Sequence, residues 1–382
     1  MTLQPSNERA RRWIPALIQV AILVLLILTA GLAVRTAMLK IGAQQSASGF
    51  GFLQSTAGFD ISETIIAYDP EMSYGRAILA GFTNTLLASF ISAVLATMIG
   101  LVMGGARLSR NFMLRNVALG ISESIRNVPL LLQLLVWYGL ILNTAPSLRQ
   151  AHSLAGIFLT NRGVYFPSLA NIDGSIAFWV LPLGLLVIVG LMWWPKSLHL
   201  LAGRTARTIF RMGLVCVAVG LTTLWVRSVR VSWPLKESFN ITGGVSVSPE
   251  LTAMILGLAV YAGAFIGELI RSGVLSVPRG QVEAAYAIGL GPMRRFRLVV
   301  YPQALRLVLP PASSVYLGIA KNTSLGVAIG FPDVSSVIAT IINQSGQAVE
   351  GMLIQILAYL TLSFIVWIAV NTYDRRTRYV LR

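Results

Sequence analysis

Lys321 is followed at once by Asn322, Thr323 and Ser324, so one ammonium stands beside an amide and two hydroxyls. Such a set can hold a carboxylate through charge-assisted hydrogen bonds, and Asn84 and Gln133 offer two further amides for the same work. A second grouping, Gly280-Gln281-Val282-Glu283-Ala284-Ala285-Tyr286-Ala287-Ile288-Gly289, sets a charged helical turn between two long apolar runs. The small Ala284 and Ala285 let another surface approach closely, while Glu283, Arg294, Arg295 and Arg297 supply charged handles. Chemistry on phosphate is not encoded. A phosphate-cradling loop ends in Gly-Lys-Ser/Thr, whereas Lys40, Lys196, Lys236 and Lys321 follow Leu39, Pro195, Leu235 and Ala320. His152 and His199 stand far apart without Cys or carboxylates around them, so no metal site is expected. With a single cysteine, Cys216, no intramolecular disulfide can form.

These residues need elements to position them, and the composition says in which medium. Of 382 residues, 55% are hydrophobic and only 12% charged, with mean hydropathy +0.73, which places the chain in a bilayer. A spanning helix takes about 20 mostly apolar residues. Eight stretches qualify: Ile14 to Val34, Ile78 to Met103, Val128 to Ala145, Ile176 to Trp194, Met212 to Val229, Leu251 to Ile270, Leu307 to Phe331 and Met352 to Val370. Eight spans put both termini on one side. The first is longer than the roughly 7–15 residues of a signal-peptide core and is read as an anchor. Lys321 lies 14 residues beyond Leu307, about 21 Å along a helix. A charge at that depth is costly, and is functional or paired.

Charge gives the orientation. With the N-terminus in the cytoplasm, 21 of the 30 Lys and Arg and only five acids fall inside, so the whole net charge of +16 is cytoplasmic. That asymmetry obeys the positive-inside rule. It also removes the need for nucleic-acid binding to explain a pI near 10.7, since no basic segment is long or soluble enough for such a module.

The Glu283 segment then lies on the cytoplasmic face. Pro278 suits a helix start, Gln281 to Ile288 are mostly helix formers, and Gly289 falls at a natural stop. Gly291-Pro292 turns the chain into a second short helix through Met293 to Tyr301, which Pro302 is expected to end. A bare Glu-Ala-Ala triplet would equally suit an ordinary amphipathic loop. The organisation expected is a tail, first span and outer loop over 1–76, a first core part over 77–145, an insertion with two spans over 146–250, and a second core part over 251–382 holding the 276–305 loop. The outer loop from Leu39 to Tyr74, with Phe50, Phe52 and Phe59, reads as a packed cap, though its Gly and Ser content also suits disorder.

Glu283-Ala284-Ala285, then Gly289, Val299 and Pro302, resembles the signature loop of ABC importer permeases, with Val299 and Tyr301 departing from the usual Ile and Leu. Asn84-Thr85-Leu86-Leu87-Ala88-Ser89, Arg126-Asn127-Val128-Pro129-Leu130-Leu131-Leu132-Gln133, Glu268-Leu269-Ile270-Arg271-Ser272-Gly273 and Lys321-Asn322-Thr323-Ser324-Leu325 look like polar amino-acid permeases. The N-terminal region with Gly58-Phe59-Asp60-Ile61-Ser62 and the mid-chain insertion extend the resemblance to the larger permease subunit of proteobacterial general L-amino acid ABC importers. The resemblance implies an all-α integral membrane protein of the type I ABC importer permease fold in the bacterial inner membrane. Spans two, three, six, seven and eight would form its five-helix core, to which the first span and the fourth and fifth are additions. It implies four kinds of partner: a second homologous permease subunit, an ABC ATPase dimer, a periplasmic amino-acid-binding protein and the lipid bilayer. ATP and Mg would be held by the ATPase, leaving this chain no cofactor of its own and no catalysis.

Two readings stay open for several residues. Lys321 could meet a substrate carboxylate with Asn322, Thr323 and Ser324, or cap carbonyls at a break in span seven, or pair with a neighbouring subunit. Asn84 and Gln133 default to hydrogen bonds between helices, with cavity lining as the alternative. Glu123 and Arg126, three apart, suit a helical ion pair or an ATPase contact. The competing functions are an importer permease for another small polar solute and a self-sufficient secondary transporter. The latter calls for inverted repeats and intramembrane acids for ion coupling, which are not evident.

Overall fold

The computed structural model describes residues 49–151, 153–171, 229–237 and 240–378, together with residues 24, 25, 28, 29, 31, 32, 212, 213, 215–220 and 222. The fourth expected span lies outside the described residues, and the first and fifth are covered only in fragments. Three described helices are long and apolar enough to cross a membrane: α1 (Tyr74–Arg107), α4 (Pro249–Leu275) and α9 (Ala348–Arg378). Two bent pairs pass the same test. One joins α2 (Phe112–Asn127) to α3 (Leu130–Thr144) at 105°. The other joins the run from α6 (Pro292–Arg295) through α7 (Tyr301–Asn322) to α8 (Val334–Ser345) at 55°. These segments stand where spans two, three, six, seven and eight were expected.

Small residues set the central packing. Ala88, Ser92, Ala96, Gly100 and Gly104 recur every four residues of α1 and are all buried. Ala259, Gly263 and Gly267 do the same on α4, which runs in the same direction. A Cβ on Gly104 would stand 2.8 Å from the Gly267 carbonyl oxygen, and one on Gly267 would stand 3.3 Å from the Gly100 carbonyl oxygen. In lipid, where apolar burial does not drive helices together, such small-residue faces allow backbone approach and dense van der Waals contact. Leu134, Met254, Leu258, Ile266 and Phe331, all nearly or fully buried, fill the space around this crossing.

The corner between α2 and α3 follows from Pro129. The residue before a proline is driven extended, and Val128 adopts ψ 127°. At the other end of α2, Asn111 caps the helix by accepting from the Met113 and Leu114 amides at 2.9 and 3.2 Å.

The outer loop packs as a cap. Ala57 and Ile61, with Phe52, Phe59, Ile66 and Tyr68, close on Tyr74, Ala77 and Ala80 of α1 and on Val337 and Ile341 of α8. The insertion adds strands to a chain read as all-helical. β1 (Ser153–Leu154), β2 (Ile157–Thr160) and β3 (Gly163–Phe166) pair in sequence, and β8 (Val245–Val247) completes an antiparallel sheet of order β1-β2-β3-β8. β4 (Ser168–Asn171) pairs with β5 (Val229–Ser232), and β6 (Leu235–Lys236) with β7 (Ile241–Thr242). Ala155 and Gly156, with φ 52° and 80°, form the two-residue turn between β1 and β2 that matches strand twist. The strands are two to four residues long, too short for alternation to register in a sequence dominated by membrane spans.

One expectation is corrected outright. Pro302 does not end a helix: α6 passes through a π-turn at Phe296–Val300 into α7, and Pro302 sits in the first turn of α7. The seventh span is also discontinuous. α7 tightens into a 3-10 stretch over Thr323–Ile329, closes at Gly330 with φ +78°, and re-enters as α8.

Candidate functional site: an exposed loop helix and a polar helix break

α5 (Arg279–Ala287) carries Glu283, Ala284 and Ala285. Its C-terminus closes in a Schellman arrangement: Gly289 N–H donates to Tyr286 O at 2.9 Å and Leu290 N–H to Ala285 O at 3.1 Å. Gly289 holds φ +79°, the left-handed value that glycine supplies without a Cβ clash. Glu283, Ala284, Gly289 and Arg294 are exposed and Arg295 is half-buried, while Ala285 is buried beneath them. Tyr286 and Ile288 are 72% and 76% exposed, and Met293 is 75% exposed. The Arg295 guanidinium lies 5.6 Å from the Tyr286 ring centre, holding α5 against α6. The result is a rigid, knob-like surface of apolar tips ringed by charge.

The second site is the break in the seventh span. Asn84 of α1 donates through Nδ2 to Glu63 O at 2.7 Å and Pro332 O at 3.0 Å. Beside it the Thr85 hydroxyl accepts from Val334 N–H at 3.0 Å. These bonds fix the Pro332-Asp333-Val334 backbone. Asp333, fully buried, caps α8 by accepting from Ser336 N–H at 2.9 Å and takes a second bond from the Tyr359 hydroxyl at 3.1 Å. Gln355 donates to the Ser335 hydroxyl at 2.8 Å, which also lies 2.9 Å from the Tyr359 oxygen. Thr323 is buried and bonds back to Ala320 O at 2.9 Å, as Ser324 does to Lys321 O.

Lys321 is exposed, and Gln355 and Tyr359 of this network border it. It lines a cleft of about 440 Å³ with Met352, Gln355, Ile356, Tyr359, Leu360 and Ser363 of α9. Among the described residues its ammonium has no hydrogen bond or ion pair. Asn322 turns elsewhere, into a separate cavity of about 170 Å³ with Leu258, Tyr261 and Phe265. The break therefore does not assemble the run of four residues into one site. Gln133 is also elsewhere, at the α2–α3 corner, donating to Ile125 O at 2.8 Å and Val128 O at 2.9 Å. The side-chain NH2 groups of Asn84 and Gln133 are both spent on backbone carbonyls, while Asn84 Oδ1 is buried without a hydrogen-bond partner among the described residues.

Asp333, Gln355 and Tyr359 escaped the sequence reading because they fall outside the motifs, Asp333 just past the seventh apolar window and Gln355 and Tyr359 inside the eighth. A fourth group did so as well. Arg107, at the end of α1 with its side chain 7% exposed, forms an ion pair with Glu268 of α4. It also donates to the Ser122 hydroxyl of α2 at 3.3 Å, while Glu268 pairs with Arg271 at 2.7 Å. Nothing in the spacing links position 107 to 268.

Five membrane-competent segments, two of which cross at close-packed glycines, and a charged loop helix describe an integral membrane protein. Residues 238–379 match the family described as "Binding-protein-dependent transport system inner membrane component". The putative amino-acid ABC transporter permease protein YhdX of Escherichia coli (strain K12) is 38% identical over 386 residues, covering 100% of this chain and 98% of that protein. The general L-amino acid transport system permease protein AapQ of Rhizobium johnstonii is 36% identical over 90% of this chain and 87% of its own length. The glutamate/glutamine/aspartate/asparagine transport system permease protein BztB of Rhodobacter capsulatus is 33% identical over 94% and 92%. Among solved structures, a chain of an amino acid ABC transporter crystallised with histidines aligns at a TM-score of 0.47 and 20% identity over 79% of this chain and 95% of its own. The chain belongs to the binding-protein-dependent inner-membrane components, among the amino-acid ABC transporter permeases.

Proposed function

We propose that this chain is the larger permease subunit of an ATP-driven importer of L-amino acids. It builds the translocation pathway with a second, homologous permease subunit, receives substrate from a periplasmic binding protein, and is driven by an ATPase dimer that holds ATP and Mg. α5 faces the cytoplasm, and both termini lie on that side. The observation that carries the reading is α5 itself. Its Schellman end and the Arg295–Tyr286 contact make it rigid, and apolar tips at Tyr286, Ile288 and Met293 stand exposed where a groove of the ATPase would cover them. Glu283, Arg294 and Arg295 give that contact its charge pattern, and Ala284 with Gly289 its close approach.

Amino acids as cargo are supported by the relatives' substrates and by the Lys321 cleft, where an ammonium without a partner among the described residues suits an α-carboxylate. Gln355 and Ser363 add polar groups for the rest of the backbone, and Met352, Ile356 and Leu360 tolerate varied side chains. The test is uptake into proteoliposomes holding both permease subunits, with and without the ATPase, with unlabelled amino acids competing against one labelled substrate. Uptake that needs the ATPase and is competed by many L-amino acids is expected. Uptake without ATPase would make the chain a secondary transporter, and competition only by non-amino-acid solutes would overturn the cargo.

A further inference from the structure

The crossing of α1 and α4 ends in charge. One turn beyond Gly104, Arg107 turns its guanidinium inward, and directly after Gly267 comes Glu268. The glycines bring the backbones together, and immediately past them the carboxylate receives two arginines. Arg107 reaches it from α1, and Arg271, one turn further along α4, donates to it at 2.7 and 3.3 Å. Through the Ser122 hydroxyl at 3.3 Å, Arg107 also holds α2. A further tie joins α2 directly to α4, with the Arg126 guanidinium 5.2 Å from the Phe265 ring centre. α4 continues only seven residues past Glu268, about 10 Å of helix, before Ser276-Val277-Pro278 delivers the chain to α5.

We propose that Glu268 is a positioning residue for energy coupling: it clamps the end of α4 to α1 and α2, so that displacement of α5 moves three helices together rather than bending one. The inference rests on the reading of α5 as the ATPase dock and goes beyond it. A helix end is the part of a helix that frays and bends most easily. Without a clamp, a push on α5 relayed by the last two turns of α4 would shift or rotate α4 alone. A carboxylate shared by two guanidiniums, one of them buried, resists that because moving α4 alone strips Arg107 of its partner in a place where water replaces it poorly. The coupling helix contributes force, and Glu268 decides which helices feel it.

The test reconstitutes the full complex with Glu268→Gln, which keeps the shape and loses the charge, and measures uptake per ATP hydrolysed. Complex yield and ATPase stimulation by the loaded binding protein are expected to persist, while uptake per ATP falls at least about fivefold. Arg107→Lys, which retains the ion pair and not the second bond to Ser122, is expected to lie between wild type and Arg107→Met. A ratio that stays at the wild-type value in both Glu268→Gln and Arg107→Met would overturn the proposal. So would a fall in uptake that merely tracks a lower yield of intact complex across all three variants. Gly289→Asp is run beside them: its loss of ATPase binding reports on the dock alone, so failure of the clamp and failure of the dock are read separately.

Discussion

Gly104 and Gly267 face each other across α1 and α4 so closely that a single methyl at 104 would stand 2.8 Å from the Gly267 carbonyl oxygen and 3.1 Å from Ile270 Cβ. Its neighbour Gly105 has nothing within 4 Å. The pair offers an internal control. Gly104→Ala is expected to lower the stability of the solubilised subunit by about 1–3 kcal/mol through overpacking. Gly105→Ala should raise it by roughly 0.5–1 kcal/mol through helix propensity. Thermal unfolding followed by exposure of a reporter thiol measures both, and equal effects would remove the close crossing as the reason for glycine at 104.

Gly289 has open space around it, so its constraint is conformational rather than steric. Gly289→Ala should cost about 1–2 kcal/mol for a side chain held at φ +79°, and Gly289→Asn less, because asparagine tolerates that region. ATPase co-purification should follow the same order. Equal loss in both variants would show that bulk at the docking face, not the turn, is what matters.

Lys321 has no partner among the described residues, so removing its charge strands nothing within this chain. Lys321→Met should leave the yield of complex unchanged and raise the half-saturating substrate concentration. The loss of a charge-assisted bond is worth about 1.5–3 kcal/mol. Lys321→Arg should recover part of it. A reduced yield of complex would instead assign the ammonium to a neighbouring subunit.

Glu63 lies in the cap, outside the spans, and accepts from the Ser248 hydroxyl and from the Ser248 N–H at 3.4 Å. Burial raises its carboxyl above the ordinary 4.5, against the opposing pull of those bonds and with a further push from Glu250. A raised folded value means the cap binds the proton more tightly when packed. Its hold is therefore strongest below pH 4.5 and weakens as pH rises through the folded value. Hydrogen exchange of residues 58–63, corrected for intrinsic rates, should show protection falling over that window, and Glu63→Gln should flatten the profile.

What the sequence made legible were features carried by one stretch of chain. The α5 helix, its glycine stop and the run of apolar spans each depend on neighbours a few residues apart, so spacing reveals them. The short strands of the insertion were missed because two to four residues are too few for alternation to stand out. Pro302 was misread because a proline before a helix and one after it look alike when the flanking stretches are both helical. The apolar run that carries Lys321 was legible, but the break that turns Asn322 away from it depends on contacts from α1, 248 residues distant for the Asn84–Pro332 bond. The Arg107–Glu268 pair likewise exists only in three dimensions.

The pairing of β4 with β5 sets Asn171 opposite Val229, about 4.5–5.5 Å apart as antiparallel neighbours are. The two residues that flank positions 172–228 thus stand side by side. A segment anchored in that way can be gained or lost in evolution without rerouting the chain, since its removal leaves a gap one tight turn can bridge. Joining Asn171 to Val229 through Asn-Gly would yield a trimmed subunit in which the five core segments keep their order and directions, and comparison of the two forms would isolate whatever the additional segment contributes.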